Sequence, residues 1–144
     1  MYANRGIQAY KKDSIRSDLA GADPHRIIQL LMQGALDRLA LAKGCIERRD
    51  LEEKANVLTR SIEIINALKD SLDRSYNPEL ADNLDALYDY MTFRITEASS
   101  KLDNSIIDEV IGLMLQIKGA WDQISPEDKK TAYIAKENER LKGA

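Results

Sequence analysis

The chain has 144 residues, a net charge of −3, 44% hydrophobic and 31% charged side chains, and only 3 Pro and 7 Gly. That is the size and composition of one folded domain with a real core, and it excludes a disordered or low-complexity chain. A single cysteine, Cys45, permits no internal disulfide and fits a reducing compartment.

Charge is unevenly spread. Residues 1–20 carry four basic and two acidic side chains, residues 21–125 twelve and eighteen, and residues 126–144 five and four. An acidic body offers no phosphate-binding surface, so nucleic acid is not an expected partner. No apolar run approaches the length of a membrane span and the N-terminus lacks a signal-peptide core, so no membrane insertion is expected and the cytoplasm is the expected compartment.

In chain order, residues 1–21 read as an arm. Ile7 and Tyr10, and less regularly Ile15 and Leu19, outline an amphipathic helix too narrow to fold alone, and Gly21 interrupts it. The arm is therefore expected to be detachable. Asp23 and Pro24 form an N-cap and first helical position. From there Ile28, Leu31, Ala35, Leu39, Ala42 and Ile46 keep a seven-residue apolar repeat. A turn at Arg48-Arg49-Asp50 leads into a second helix, with Asp50 and Glu53 as a capping box and Leu51, Ala55, Leu58, Ile62, Ile65 and Leu72 as its stripe. Asn77 and Pro78 open a third helix whose stripe is Leu80, Leu84, Leu87, Met91, Ile95, Ala98 and Leu102. Off that stripe lie Tyr88, Tyr90 and Phe93, beside an acidic row of Asp82, Asp85 and Asp89. These side chains read either as a solvated boundary or as an aromatic docking surface. Ser105 to Asp108 forms a second capping-box pattern opening a helix with Ile107, Val110, Met114, Ile117, Trp121 and Ile124 on one face. Beyond Ser125-Pro126-Glu127-Asp128 a weaker helical stretch keeps only Tyr133, Ile134 and Leu141 as large apolar residues. The expected architecture is all-α: an antiparallel up-down-up-down four-helix bundle over 22–125, with the N-terminal arm at 1–21 and a weakly helical or disordered tail at 126–144.

Catalytic patterns are missing from these elements. The sole histidine, His25, has no Glu three residues before it, so a di-iron bundle site cannot be assembled. Cys45 has no Cys or His at metal-ligand spacing, and no phosphate loop or nucleophile elbow is present. Neither an enzyme nor a metal or cofactor protein is expected.

Three separated stretches carry a family likeness. Leu80-Ala-Asp-Asn-Leu followed by Leu87-Tyr-Asp-Tyr-Met, the opening Met1-Tyr2-Ala3-Asn4 with Tyr10, and Asp23-Pro24-His25-Arg26-Ile27-Ile28 with Gly34-Ala35 together resemble the flagellar secretion chaperone family FliS. The chain departs from that pattern at Ala22-Asp23 and at Gln33. The resemblance implies a cytoplasmic chaperone that binds the disordered C-terminal segment of flagellin in apolar grooves, prevents premature polymerisation and assists delivery to the flagellar type III export gate. It implies partner-binding roles for Tyr2, Ile7 and Tyr10 in the arm and for Asp82, Asn83, Tyr88 and Tyr90 on the third helix. The alternative is a regulatory adaptor whose partner is another flagellar regulator such as an anti-sigma factor. A self-associating structural bundle, suggested by apolar positions such as Leu41 and Phe93, is a third.

Overall fold

The computed structural model describes residues 23–75 and 77–124, and all statements below concern those residues. They form four α-helices: α1 (Pro24–Glu47), α2 (Leu51–Asp70), α3 (Pro78–Lys101) and α4 (Asn104–Asp122). The expectations for the arm and for the tail beyond Ser125 lie outside the described residues.

Local chemistry explains where each helix starts and stops. The Asp23 carboxylate accepts from the Arg26 backbone N–H at 2.8 Å and Pro24 takes the first helical position. At the other end of α1, Arg49 adopts a left-handed conformation (φ 59°). This lets the Arg49 and Asp50 N–H groups return to the Ile46 and Cys45 carbonyls at 3.2 and 2.9 Å, which satisfies the orphaned acceptors of the last turn. The capping box expected at Asp50 is half formed. Asp50 accepts from the Glu53 N–H, but its own N–H already donates to Cys45, so Glu53 has no donor to reach back for. α4 starts earlier than the Ser105 cap predicted. Asp103 is the cap, accepting from both the backbone and the hydroxyl of Ser105 at 2.9 and 2.6 Å, and these bonds hold its carboxyl below the usual aspartate value. α3 ends at Lys101 because Leu102 turns left-handed (φ 54°) while its side chain stays packed on the core. That backbone conformation costs a non-glycine residue about 1–2 kcal/mol, and the burial offsets it.

The turns between α1 and α2 and between α3 and α4 span only a few residues, so neighbours run antiparallel. α1 packs on α2 and α4, and α3 packs on the same two helices, closing a four-membered ring; the α1–α2 contact is the most extensive. Met32, Leu39, Ile65, Leu68, Met91, Ile95, Ile107, Val110 and Met114 fill its centre with almost no exposure. Ser61 is buried among them, its hydroxyl donating to the Val57 carbonyl one turn back, so it leaves no donor unsatisfied.

The apolar stripes lie mostly where periodicity puts them, with corrections at the helix starts. Leu51, Ala55 and Leu80 are exposed, and on α2 the inward face is Val57, Leu58, Ser61, Ile65 and Leu68. Leu51 and Leu80 sit in the first turns of their helices. His25, in the first turn of α1, is only 6% exposed. Its ring stacks on Trp121 (centroids 4.9 Å apart, planes 12° apart), its Nε2 lies 2.8 Å from the Trp121 carbonyl, and the Trp121 indole N–H donates to the His25 carbonyl at 3.0 Å. A carbonyl can only accept, so Nε2 carries the proton in this contact. The pair fastens the first turn of α1 to the last turn of α4.

Candidate functional site

Among the described residues no group of His, Cys, Asp and Glu could hold a metal ion, and no helix is long and apolar enough to cross a membrane. What the surface offers instead is a contrast between the edges of the bundle. The α2–α3 edge is closed by ions. Lys69 reaches Asp89 at 2.7 Å and Asp85 at 3.7 Å, and Arg74 reaches Asp82 at 3.0 Å and Asp85 at 3.2 Å. The Asp89 hydrogen bond heads the causes that hold the Lys69 ammonium above its ordinary pKa. The acidic row read from sequence is thus spent on ion pairs with Lys69 of α2 and with Arg74 in the connection that follows it. The α1–α4 edge is likewise spanned, by Lys43 with Asp108 (2.6 Å), by Gln29 with Asp122 (2.7 Å) and by the His25–Trp121 pair.

The α3–α4 edge differs. Leu80, Leu87, Tyr90 and Arg94 fall at helical spacing along one side of α3. The Tyr90 hydroxyl donates to Glu109 at 2.8 Å and Arg94 reaches the same carboxylate at 3.1 and 3.3 Å, which shows that this side faces α4. Arg94 also binds Glu97 at 3.0 Å. These bonds close one end of the edge. Toward Leu80 and Ile124 the half-buried side chains are Leu84 and Leu87 from α3 and Leu113 and Ile117 from α4, all packed against the core. Leu80 is 52% exposed and Tyr90 44%. The result is an apolar strip with a polar lock at one end, flanked on the outer face of α3 by Phe93, 61% exposed. Such a strip suits an amphipathic helix laid along it.

The residues predicted to bind a partner divide accordingly. Tyr90 lies on the strip. Asn83 is exposed on the same helix, and Asp82 is exposed but engaged with Arg74. Tyr88 is placed elsewhere: it is 3% exposed, belongs to the core cluster, and burial pushes its phenol pKa up to about 12. The sequence could have flagged this, since Tyr88 stands one turn from both Leu84 and Met91, inside the buried face. Tyr2, Ile7 and Tyr10 lie outside the described residues. Sequence reading missed Leu113 and Ile117 as surface-forming residues, because a stripe pattern cannot tell the middle of a core face from its margin.

The Glu109 lock titrates in a readable direction. Arg94, then Tyr90, hold its carboxyl below the ordinary value of 4.5. A carboxylate whose folded pKa is depressed stabilises the fold above its unfolded pKa, and that contribution disappears as pH falls through the folded value. Glu109→Gln is therefore expected to lower Tm at neutral pH and to converge with the parent chain in melts below pH 4.5.

The described residues form an all-helical bundle with an apolar strip along its α3–α4 edge. The chain belongs to the FliS family of flagellar proteins, whose model matches residues 6–128. It is 46% identical over 125 residues to the flagellar secretion chaperone FliSB of Pseudomonas aeruginosa, covering 87% of this chain and 99% of that one. It is 42% identical to the flagellar secretion chaperone FliS of Vibrio cholerae, covering 84% and 89%, and 33% identical to that of Bacillus subtilis, covering 87% and 90%. A crystal structure of a bacterial flagellar chaperone superposes with a TM-score of 0.65 at 16% identity, covering 81% of this chain and 94% of that one, a likeness of fold.

Proposed function

We propose that this protein is a cytoplasmic flagellar secretion chaperone that binds the disordered C-terminal segment of flagellin and keeps the subunit from polymerising until it reaches the export gate. The observation that carries the reading is the apolar strip of Leu80, Leu87, Tyr90, Leu113 and Ile117 on a family member whose relatives are named as secretion chaperones. A flagellin terminal segment that is amphipathic but unfolded as a monomer needs its apolar face covered. A strip on a preformed bundle does this, while the ordering cost on the client side keeps the grip reversible. In this reading Tyr90 is an anchor, Asn83 and Asp82 contribute to the polar rim, and Tyr88 acts from beneath by holding α3 in place.

The arm has a part in the same scheme. The proposed role of Ile7 and Tyr10 is to shield apolar surface of the free bundle until client or export machinery arrives. The experiment is flagellin polymerisation followed by light scattering with increasing amounts of this protein. Suppression that saturates at a stoichiometric ratio is the expected result, and unimpeded filament growth at excess chaperone would refute the reading. Deleting residues 1–18 is expected to change flagellin affinity or export, and unchanged values of both would remove the arm from the mechanism.

A further inference from the structure

We infer that two copies of this chain pair through their α1–α2 edges, Leu41 of each seated in a depression on α2 of the other. Among the described residues, ion pairs cross the α2–α3, α3–α4 and α1–α4 edges and none crosses the α1–α2 edge. Leu41 stands on that edge 59% exposed, with Asp37 one turn before it and Arg48 two turns after it on the same side of α1. The Arg48 guanidinium folds back along the helix, so close to Gly44 that a methyl group there would lie 2.9 Å from its Nη1. Its charge is therefore carried only one turn beyond Leu41. α1 presents, in order, a carboxylate, a leucine and a guanidinium.

α2 presents the counterpart. Glu53, Asn56, Val57, Thr59 and Arg60 line an open depression of about 450 Å³, with a carboxylate at one end and a guanidinium at the other. The levels match. A methyl group at Gly34 would lie 3.5 Å from Ile64 Cδ1, so Gly34 is level with Ile64. Because α1 and α2 are antiparallel and rise equally per residue, Leu41 is then level with Val57, Asp37 with the neighbourhood of Arg60, and Gly44 with that of Glu53. A two-fold axis parallel to the helices keeps these levels and lays α1 of one copy on α2 of the other. Leu41 enters the depression, Asp37 meets Arg60 of the second copy and Arg48 meets its Glu53, and every contact is made twice. Within one chain none of these four side chains is in an ion pair: Asp37 accepts from Gln33 at 2.8 Å and Arg48 reaches the Cys45 Sγ at 3.8 Å. The other charges nearby do not oppose the contact. Arg38 donates to the Gly34 carbonyl at 3.1 Å, and helical spacing turns Glu47, Glu52 and Glu63 away from the edge.

The α1–α2 edge lies opposite the α3–α4 edge in the ring of helices. Pairing therefore leaves both apolar strips uncovered, and the inference does not depend on what docks there.

The test is sedimentation velocity of the full chain over a concentration series, with the variants Leu41→Asp, Asp37→Arg and Arg60→Glu. A reversible monomer–dimer equilibrium is expected in the parent, lost in Leu41→Asp and weakened about tenfold or more by each charge reversal, which sets like charges against each other. Mixing Asp37→Arg with Arg60→Glu is expected to restore the dimer, because each reversed charge then meets its opposite on the other chain. Repair within one chain cannot produce that result, and restored pairing shows that both variants are folded. The mixture of Arg48→Glu with Glu53→Arg repeats the test at the second pair. A parent that stays monomeric throughout, a dimer that survives Leu41→Asp, or mixtures that remain monomeric while their components melt like the parent would overturn the inference.

Discussion

Tyr88→Ala is expected to destabilise the bundle by about 3–5 kcal/mol, the range for deleting a large aromatic side chain from a packed core. Tyr88 is 3% exposed among the buried residues of α3, and four-helix packing leaves its neighbours little room to collapse into the space. For a described bundle of this size each kcal/mol moves Tm by several degrees, so a fall of roughly 10 °C or more should be visible in a melt. Tyr88→Phe keeps the ring and is expected to keep most of the stability. Flagellin affinity of the molecules that remain folded should change little. An unaltered Tm with weakened binding would instead place the Tyr88 ring in the interface.

Leu80→Asp and Tyr90→Ala are expected to show the opposite separation. Both side chains are largely exposed, and each substitution should weaken binding of the flagellin segment by about 1–3 kcal/mol, roughly 5- to 150-fold. The melt of Leu80→Asp should shift by no more than about 0.5 kcal/mol, as for surface changes that leave no buried group orphaned. Tyr90→Phe divides ring from hydroxyl: it removes the bond to Glu109 while leaving the apolar surface, so binding should survive it better than it survives alanine. Calorimetric titration alongside thermal melts measures both quantities on the same samples. If Tyr90→Ala lowers Tm and leaves affinity intact, the α3–α4 edge is a structural seam and not a docking strip.

Much of the bundle was legible in the sequence because its signals are local. Asp23-Pro24 and Asn77-Pro78 state their helix starts through capping chemistry that needs no tertiary context, and the structure uses both. The short turn at Arg48–Asp50 compels antiparallel neighbours once both helices exist. What escaped was set by contacts distant in sequence. His25 and Trp121 are 96 residues apart, and neither carries a local sign of their stacking. Asp103 outcompeted Ser105 for the cap because the αL turn at Leu102 aims its carboxylate at the Ser105 N–H, a geometry that residue types alone do not fix. The apolar strip was legible only in part. Tyr90 was visible as an aromatic off the stripe, but the other wall comes from α4, and which side of α4 meets α3 is revealed by Glu109 answering Tyr90 and Arg94.

The proposed function has flagellin docking on the α3–α4 edge. Its most direct test is a titration of the isotope-labelled protein with the C-terminal segment of flagellin, followed by methyl and backbone NMR. Saturable one-to-one binding, helical shifts appearing in the segment, and the largest perturbations at Leu80, Leu87, Tyr90, Leu113 and Ile117 are expected. Saturable binding whose perturbations leave those five residues untouched would move the interface to another edge, and no binding at all would contradict the chaperone assignment itself.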